Sequence, residues 1–122
     1  MTEGFAETAA IRSWHAHVYY DPGTRPEAER LREAIGAEFE VQLGRWHDEL
    51  VGPHTQAMYQ IAFPSGMLSS FVPWLMLNRD GLTILLHPGT GNDYLDHTAH
   101  AAWFGAVLPL RVEVFQQHRT AE

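Results

Sequence analysis

The 122-residue sequence contains no cysteine and no lysine, and it has no long apolar run. The absence of cysteine excludes disulfides, Cys-ligated zinc and thiolate nucleophiles, and the absence of lysine excludes Schiff-base chemistry. No stretch approaches the roughly 20 apolar residues that a membrane-spanning helix needs, and the N-terminus lacks the basic start and apolar core of a secretory leader. We therefore expect a cytoplasmic protein with no membrane partner, in which nitrogen and oxygen atoms hold any metal.

Charge and size restrict the possible binding partners and the number of domains. The formal net charge is −7, and all eight cationic side chains are arginine. An acidic surface without basic clusters argues against nucleic acid as a partner. The composition, 45% apolar and 19% charged, is typical of a globular protein, and the length suits one domain. We expect a single domain over residues 1–122, with residues 1–10 as a loose lead-in.

A pair of histidines stands in the run Trp14-His15-Ala16-His17-Val18-Tyr19-Tyr20. Residues two apart in a strand share a face, so His15 and His17 project together, with Tyr19 on the same side. One interpretation is a half-exposed strand that carries two imidazoles by chance. Neighbouring imidazoles are costly to bury, however, because each ring needs partners for both nitrogens. Neutral imidazole is also a common ligand of first-row metals, so the pair favours a metal or catalytic site.

Hydrophobic periodicity predicts both strands and helices. Alternation and apolar runs predict strands at residues 11–20, 40–46, 54–63, 82–86 and 110–115. Apolar spacings of three and four predict helices at residues 25–39, 71–78 and 93–104. The order β-α-β-β-α-β, followed by an extra C-terminal helix and strand, predicts an α+β protein with a ferredoxin-like split β-α-β antiparallel sheet.

This topology places the strands at 54–63 and 82–86 on either side of the first strand. His54 and His87 then approach the histidine pair on the sheet face that the helices leave open. Tyr19, Met58 and Leu85 share that face, and a broad exposed mixture of this kind is an unusual surface. We therefore expect a partner chain or the C-terminal helix to cover it.

Three imidazoles, or two with a carboxylate, suit Fe(II) or Zn(II) when coordination positions stay open. A further histidine can then act as general acid or base. The carboxylate candidates are Asp48, Glu49 and Glu113, the first two being more typical of solvated surface acids. A small acidic substrate would need an arginine such as Arg45, although a surface role is the more common one for such a residue.

Four sequence blocks occur in order along nearly the whole chain: HAHVYYDP, GPHTQAMYQIAF, VPWLMLNRDGLTILLHPGTG and DYLDHTAHAAWFG. Together they resemble the DOPA 4,5-dioxygenase family of small extradiol ring-cleaving proteins. The resemblance implies a ferredoxin-like α+β fold, a homodimer, and a non-haem Fe(II) site that cleaves a catechol such as L-DOPA with O₂. Zinc could substitute for the iron.

The resemblance also implies that the motif histidines form the site, although the motif alone leaves open which of them bind the metal. The expected roles are metal binding for His15, His17 and His87, catalysis for His54 and His97, and substrate binding for Tyr19, Met58 and Arg45. Two other functions stay open: a non-catalytic dimeric α+β module that binds a small molecule, and a zinc-dependent hydrolase.

Overall fold

The strand that carries the histidine pair lies at the centre of the sheet. In the computed structural model, which describes residues 4–115, the strands are β1 (Ser13–Tyr20), β2 (Gln42–Leu43), β3 (Ala57–Phe63), β4 (Ile84–Gly89) and β5 (Ala102–Phe104). Their order in the sheet is β2-β3-β1-β4-β5, and every neighbouring pair is antiparallel. This arrangement confirms the predicted α+β class and the ferredoxin-like sheet.

Two helices cover one face of the sheet. Helix α1 spans Arg25–Glu38 and α2 spans Leu68–Asn78, while short 3-10 turns lie at Thr8–Ala10 and Ser65–Met67. The helices bury residues at spacings of three and four, namely Ala28, Leu31 and Ile35 from α1 and Phe71 and Leu75 from α2. These side chains form one core cluster with Ala16, Val18 and Tyr20 of β1. The histidines of β1 therefore point to the opposite face.

A second, smaller apolar cluster lies on that opposite face. Tyr19, Met58 and Leu85 are each at most 4% exposed. They are packed against a short set of residues from the C-terminal part of the chain, namely Ala101, Trp103, Leu108 and Leu110. Strand β5 and irregular chain cover this part of the face in place of the predicted C-terminal helix, and a covering partner chain stays a prediction.

His54 lies before β3 rather than within it. The predicted strand at 54–63 begins only at Ala57, because the preceding chain turns. Gly52 adopts φ +57°, and the His54 N–H donates to the Val51 carbonyl at 3.2 Å. The prediction of a strand from residue 54 was wrong, although the loop still brings His54 to the site.

The C-terminal third differs most from the predicted elements. The helix expected at 93–104 is a single turn, α3 (Asp93–Asp96), and part of its range forms β5. Trp103 explains the difference, because pairing β5 with β4 places this ring on the Tyr19 cluster. The strand expected at 110–115 is absent from the described chain, whose residues 113–115 are helical.

The other strands and helices differ from the predicted ones by a few residues at their ends. The strand predicted at 40–46 is paired only at Gln42–Leu43, and α2 begins at Leu68, so that Pro73 lies inside the helix rather than in its first turn. Strand β4 runs through His87 and Pro88 to Gly89. Strand β5 pairs with β4 only at residues 84–86. At Pro88 the side of β4 that faces β5 is therefore an unpaired edge, where a proline is tolerated because no N–H is needed for pairing. Within the described chain, no helix combines the length and apolarity required to cross a bilayer.

Candidate functional site

Five histidine side chains gather on the sheet face that α1 and α2 leave open. Strand β1 supplies His15 and His17, β4 supplies His87, the loop before β3 supplies His54, and the turn after α3 supplies His97. Neighbouring ring centroids lie 4.1 Å (His87–His97), 4.4 Å (His17–His54), 5.1 Å (His17–His87) and 5.2 Å (His15–His87) apart. The structure thus brings together all five histidines of the sequence motif, and we call them the histidine cluster.

The β-sheet register fixes three of the five rings. His15 and His87 are direct cross-strand partners, and His17 lies opposite Leu85 two positions further along β1. Side chains of directly opposed residues stand about 5 Å apart at their Cβ atoms. The contact between His15 and His87 therefore follows from strand pairing alone.

Asp96 holds the segment that carries His97. This carboxylate is 1% exposed and accepts hydrogen bonds from the Thr90 N–H at 2.8 Å, the Thr90 hydroxyl at 2.7 Å and His100 Nδ1 at 3.0 Å. Burial alone would raise the pKa of Asp96, but these hydrogen bonds together lower it. This role of Asp96 was not predicted from the sequence. The signal that could have indicated it is Thr90 in a turn that contains Gly and Asn, because short polar side chains in turns hydrogen-bond to nearby backbone and side-chain groups.

Burial keeps three rings of the cluster neutral. His17, His54 and His87 are each 3–4% exposed. Desolvation, followed by repulsion from His97 and His47, lowers the pKa of His54 to about 4. Desolvation, followed by repulsion from His97, lowers the pKa of His87 to about 4 as well. The pKa of His17 is also well below its usual range, because the ring is desolvated and surrounded by other imidazoles. At neutral pH these rings therefore carry lone pairs rather than charge.

Backbone carbonyls fix the proton position in two of the rings. His87 Nδ1 lies 2.9 Å from the Pro88 carbonyl oxygen, and His97 Nδ1 lies 2.7 Å from the Asp93 carbonyl oxygen. A carbonyl only accepts, so each Nδ1 carries the proton and donates it. In both rings Nε2 then carries the lone pair, and that of His87 faces His17 Nε2 at 3.1 Å. A ring held in this tautomer is the usual form of a metal-binding histidine.

The nitrogens of the cluster have the spacing of ligands around one ion. Two sets of three, His15-His17-His87 and His17-His54-His97, each offer ligand nitrogens within 4.8 Å of one another. His17 Nε2 and His87 Nε2 are 3.1 Å apart, close to the roughly 3.0–3.4 Å between two nitrogens that bind one ion at about 2.1 Å. His17 Nδ1 is buried and lacks a hydrogen-bond partner within residues 4–115. This donor set fits a divalent first-row cation.

A cavity of about 260 Å³ opens beside the cluster and is lined by all five histidines, with Gln60, Asp93, Asp96 and Phe115 among the other residues. The volume lies just below the roughly 300–1,000 Å³ of sites for drug-sized ligands, so it suits a small molecule. The Phe115 ring lies 4.7 Å from that of His97. No periodicity in the sequence indicated Phe115, which was predicted within a strand.

The other predicted residues lie away from this cavity. Tyr19 and Met58 are buried in the apolar cluster beneath the cover, and Arg45 is exposed and is not among the described residues that line the cavity. Asp48 accepts a hydrogen bond from the Tyr20 hydroxyl, while Glu49 and Glu113 are exposed. Neither histidine triad within residues 4–115 includes a carboxylate.

Fold and site together define a ferredoxin-like α+β protein with a polyhistidine site on the open face of its sheet. The profile of the Dopa 4,5-dioxygenase family matches residues 14–114. The chain therefore belongs to the Dopa 4,5-dioxygenase family.

Individual relatives agree with this assignment. The chain is 35% identical over 111 residues to DOPA 4,5-dioxygenase of Amanita muscaria, covering 84% of this chain and 49% of that protein. It is 32% identical over 117 residues to an uncharacterised 21.2 kDa protein of Botryotinia fuckeliana, covering 86% of this chain and 64% of that protein. The chain thus spans about half to two thirds of the length of these curated relatives.

One solved structure is similar to this chain over nearly the full length of both proteins. The crystal structure of a candidate dioxygenase from Nostoc punctiforme superposes with a TM-score of 0.91 at 50% sequence identity, covering 93% of this chain and 99% of that chain. The same fold is therefore present in that protein.

Proposed function

We propose that this protein is a non-haem Fe(II)-dependent extradiol dioxygenase, which opens the ring of a small catechol such as L-DOPA and places both atoms of O₂ in the product. The observation that carries the proposal is the cluster of five imidazoles beside a small cavity in a member of the Dopa 4,5-dioxygenase family. The homodimer and the cytoplasmic location stay predictions from the sequence.

His15, His17 and His87 are the proposed iron ligands. The short approach of His17 Nε2 to His87 Nε2 and the carbonyl that fixes the His87 proton on Nδ1 support this set. Three neutral nitrogens leave coordination positions open, and iron would supply redox chemistry and a common binding site for the catechol and O₂. Zinc could occupy the same ligands.

His97 is the proposed general base. Its Nδ1 donates to the Asp93 carbonyl, so its Nε2 lone pair is free to accept a proton from a catechol hydroxyl. His54 is the proposed catalytic hydrogen-bond donor to an oxygen that becomes negatively charged during the reaction. The ring of Phe115 beside His97 offers an aromatic surface against which a flat substrate ring can stack.

Oxygen uptake tests the proposal directly. Protein loaded with Fe(II) without oxygen is mixed with O₂ and with L-DOPA, caffeate or protocatechuate, and ring opening is followed by the yellow semialdehyde product. We expect uptake by the wild type and its loss in His17→Ala, because His17 belongs to both triads. Gln42→Ala, at an exposed position of β2, is the control.

Other outcomes identify the alternatives. An iron-loaded, folded wild type that takes up no O₂ with any catechol would contradict the proposal and favour the small-molecule-binding module. Ester or amide cleavage by the zinc form without O₂ would favour the hydrolase. Equal uptake by wild type and His17→Ala would remove His17 from the iron site.

A further inference from the structure

The hydroxyl of Tyr19 lies 2.7 Å from Nδ1 of His54, and both side chains are buried. The Tyr19 ring is stacked on Trp103 with the ring centroids 6.0 Å apart. We propose that Tyr19 is a positioning residue that keeps the proton of His54 on Nε2, so that His54 enters the histidine cluster as a hydrogen-bond donor and not as a metal ligand. The catalytic meaning of this inference rests on the proposed dioxygenase function, whereas its structural part does not.

The direction of the hydrogen bond follows from which groups are paired. A phenol keeps its proton near neutral pH, so the Tyr19 hydroxyl either donates to Nδ1 or accepts from it. If the hydroxyl accepted, its own proton would have no acceptor, because His54 is the one hydrogen-bond partner that residues 4–115 give this hydroxyl. A buried donor without a partner is unfavourable. Tyr19 therefore donates to Nδ1.

The proton of His54 then resides on its other nitrogen. A neutral imidazole that accepts at Nδ1 carries hydrogen on Nε2. With Nδ1 engaged by Tyr19, Nε2 is the nitrogen left for the cluster, where the His54 ring lies 4.4 Å from that of His17. His54 thus offers an N–H at the position where a metal ligand would offer a lone pair.

His54 differs from His87 and His97 in which ring nitrogen carries the proton, so the rings have different roles in the cluster. Those two rings donate from Nδ1 to the Pro88 and Asp93 carbonyls, so their Nε2 atoms carry lone pairs. His54 has the opposite tautomer, because its Nδ1 partner is a donor rather than a carbonyl. The triad that includes His54 is therefore less suited to a cation than the triad of His15, His17 and His87.

A donor at this place has a use in the proposed reaction. The Nε2–H of His54 can donate a hydrogen bond to an anionic oxygen of the bound substrate and so stabilise that oxygen, without giving up its proton. Tyr19 acts through His54 and need not touch the substrate.

Nitrogen NMR of metal-free protein labelled with ¹⁵N-histidine tests the tautomer without any reaction. We expect the wild type to show His54 protonated at Nε2 and both His87 and His97 protonated at Nδ1, with assignments from single His→Gln variants. In Tyr19→Phe the His54 signals should move toward a mixture of tautomers, while those of His87 and His97 stay in place.

Tyr20→Phe is the matched control for the spectra. It removes the hydroxyl of the adjacent residue, which lies on the opposite sheet face and donates to Asp48, so the His54 signals should not change. A wild-type His54 protonated at Nδ1, or His54 signals that do not respond in a folded Tyr19→Phe, would overturn the inference.

Metal binding and turnover give a second readout. We expect Tyr19→Phe to bind Zn(II) within about threefold of the wild type, and to lose roughly 100-fold in kcat with a smaller change in KM, as for the loss of one donor to a developing oxyanion. A loss of Zn(II) affinity in His54→Gln equal to that in His87→Gln would make His54 a ligand and overturn the inference. Absence of oxygen uptake in the wild type would instead refute the proposed function, and the NMR result would still decide the role of Tyr19.

Discussion

His17 Nδ1 is a buried nitrogen with no hydrogen-bond partner within residues 4–115. A polar atom left unsatisfied in this way costs about 1–3 kcal/mol. At the scale of single residues, such a cost is expected at functional sites, because the residues that function requires often lower the stability of the folded protein. The neutral state of His17 adds to the argument, because desolvation lowers its pKa and leaves a lone pair for a cation. The ordinary interpretation of the His15/His17 pair, a half-exposed polar strand face, does not describe a ring that is 3% exposed.

Replacing Asp96 should destabilise the protein and loosen His97. Asp96→Asn keeps the size of the side chain but loses the charge-assisted hydrogen bonds from Thr90 and His100. We expect a loss of about 1–3 kcal/mol in the free energy of unfolding, measured by denaturant titration, and a weaker affinity for Zn(II) if His97 contributes to the site.

Asp80→Asn is the matched control for this substitution. Asp80 forms an ion pair with Arg30 at the surface and adopts φ +56°, which asparagine also tolerates. Its effect should stay within about 0.5 kcal/mol. Equal effects of the two variants would show that the hydrogen bonds of Asp96 contribute no more than a surface ion pair.

At the scale of elements, β5 depends on the glycine that follows it. Gly105 adopts φ +90°, and a Cβ at this position would lie 2.9 Å from Arg79 Nη1 and 3.1 Å from the Thr83 hydroxyl. The Arg79 guanidinium in turn donates to the Leu82 carbonyl at 2.8 Å. Gly105→Ala should therefore cost about 1–3 kcal/mol, from backbone strain and the displaced arginine. Thermal unfolding would measure this loss.

Gly66→Ala provides the comparison. A Cβ there would meet nothing within 4 Å, and removing a flexible glycine stabilises a protein by about 0.4–1 kcal/mol where the backbone allows alanine. We expect the midpoint of unfolding to stay the same or rise. If Gly105→Ala matched Gly66→Ala, the turn after β5 would not require glycine.

Periodicity predicted the elements that pair locally or pack along one stripe. The alternation around His15 and His17 placed both rings on one face, and the β-α-β-β-α-β order placed β4 beside β1, so the contact with His87 followed from the sequence. His54 and His97 lie on a loop and a turn, whose path depends on tertiary contacts such as the hydrogen bond from the Arg111 N–H to the Pro53 carbonyl. Periodicity carries no information about such contacts.

The C-terminal third illustrates the same limit. Leu95 and Ala99, followed by Ala102 and Trp103, have helical spacing, yet α3 stops at Asp96. Burial of Trp103 over Tyr19 and pairing of β5 with β4 override that local preference. Tyr19 and Met58 were placed on the correct face for the same reason as His17, but the pattern did not indicate that Trp103 would cover them.

At the scale of the whole molecule, the histidine cluster makes stability depend on pH. The pKa values of His54 and His87 are about 4 in the folded state, because burial disfavours the charged ring, and about 6.5 in the unfolded chain. Above pH 6.5 neither state holds these protons, so the stability is fully present. Between pH 6.5 and about 4 the unfolded chain takes up protons that the native state does not, so the stability falls with acidification.

Metal-free protein should thus become less stable between pH 6.5 and 4, by about 1.4 kcal/mol per pH unit for each histidine that stays neutral only when folded. Denaturant titrations at half-unit steps would measure the slope. His87→Gln removes one such group. It should therefore reduce the slope by about 1.4 kcal/mol per pH unit, the contribution of one proton. Asp48 and Asp96, whose pKa values are lowered, add to the slope only below about pH 5, where carboxyls of the unfolded chain take up protons, so the histidine slope is read between pH 6.5 and about 5. A stability that is constant, or that rises, from pH 6.5 to 4 would mean that the cluster is already charged in the native protein, and that its nitrogens are not free to bind a cation.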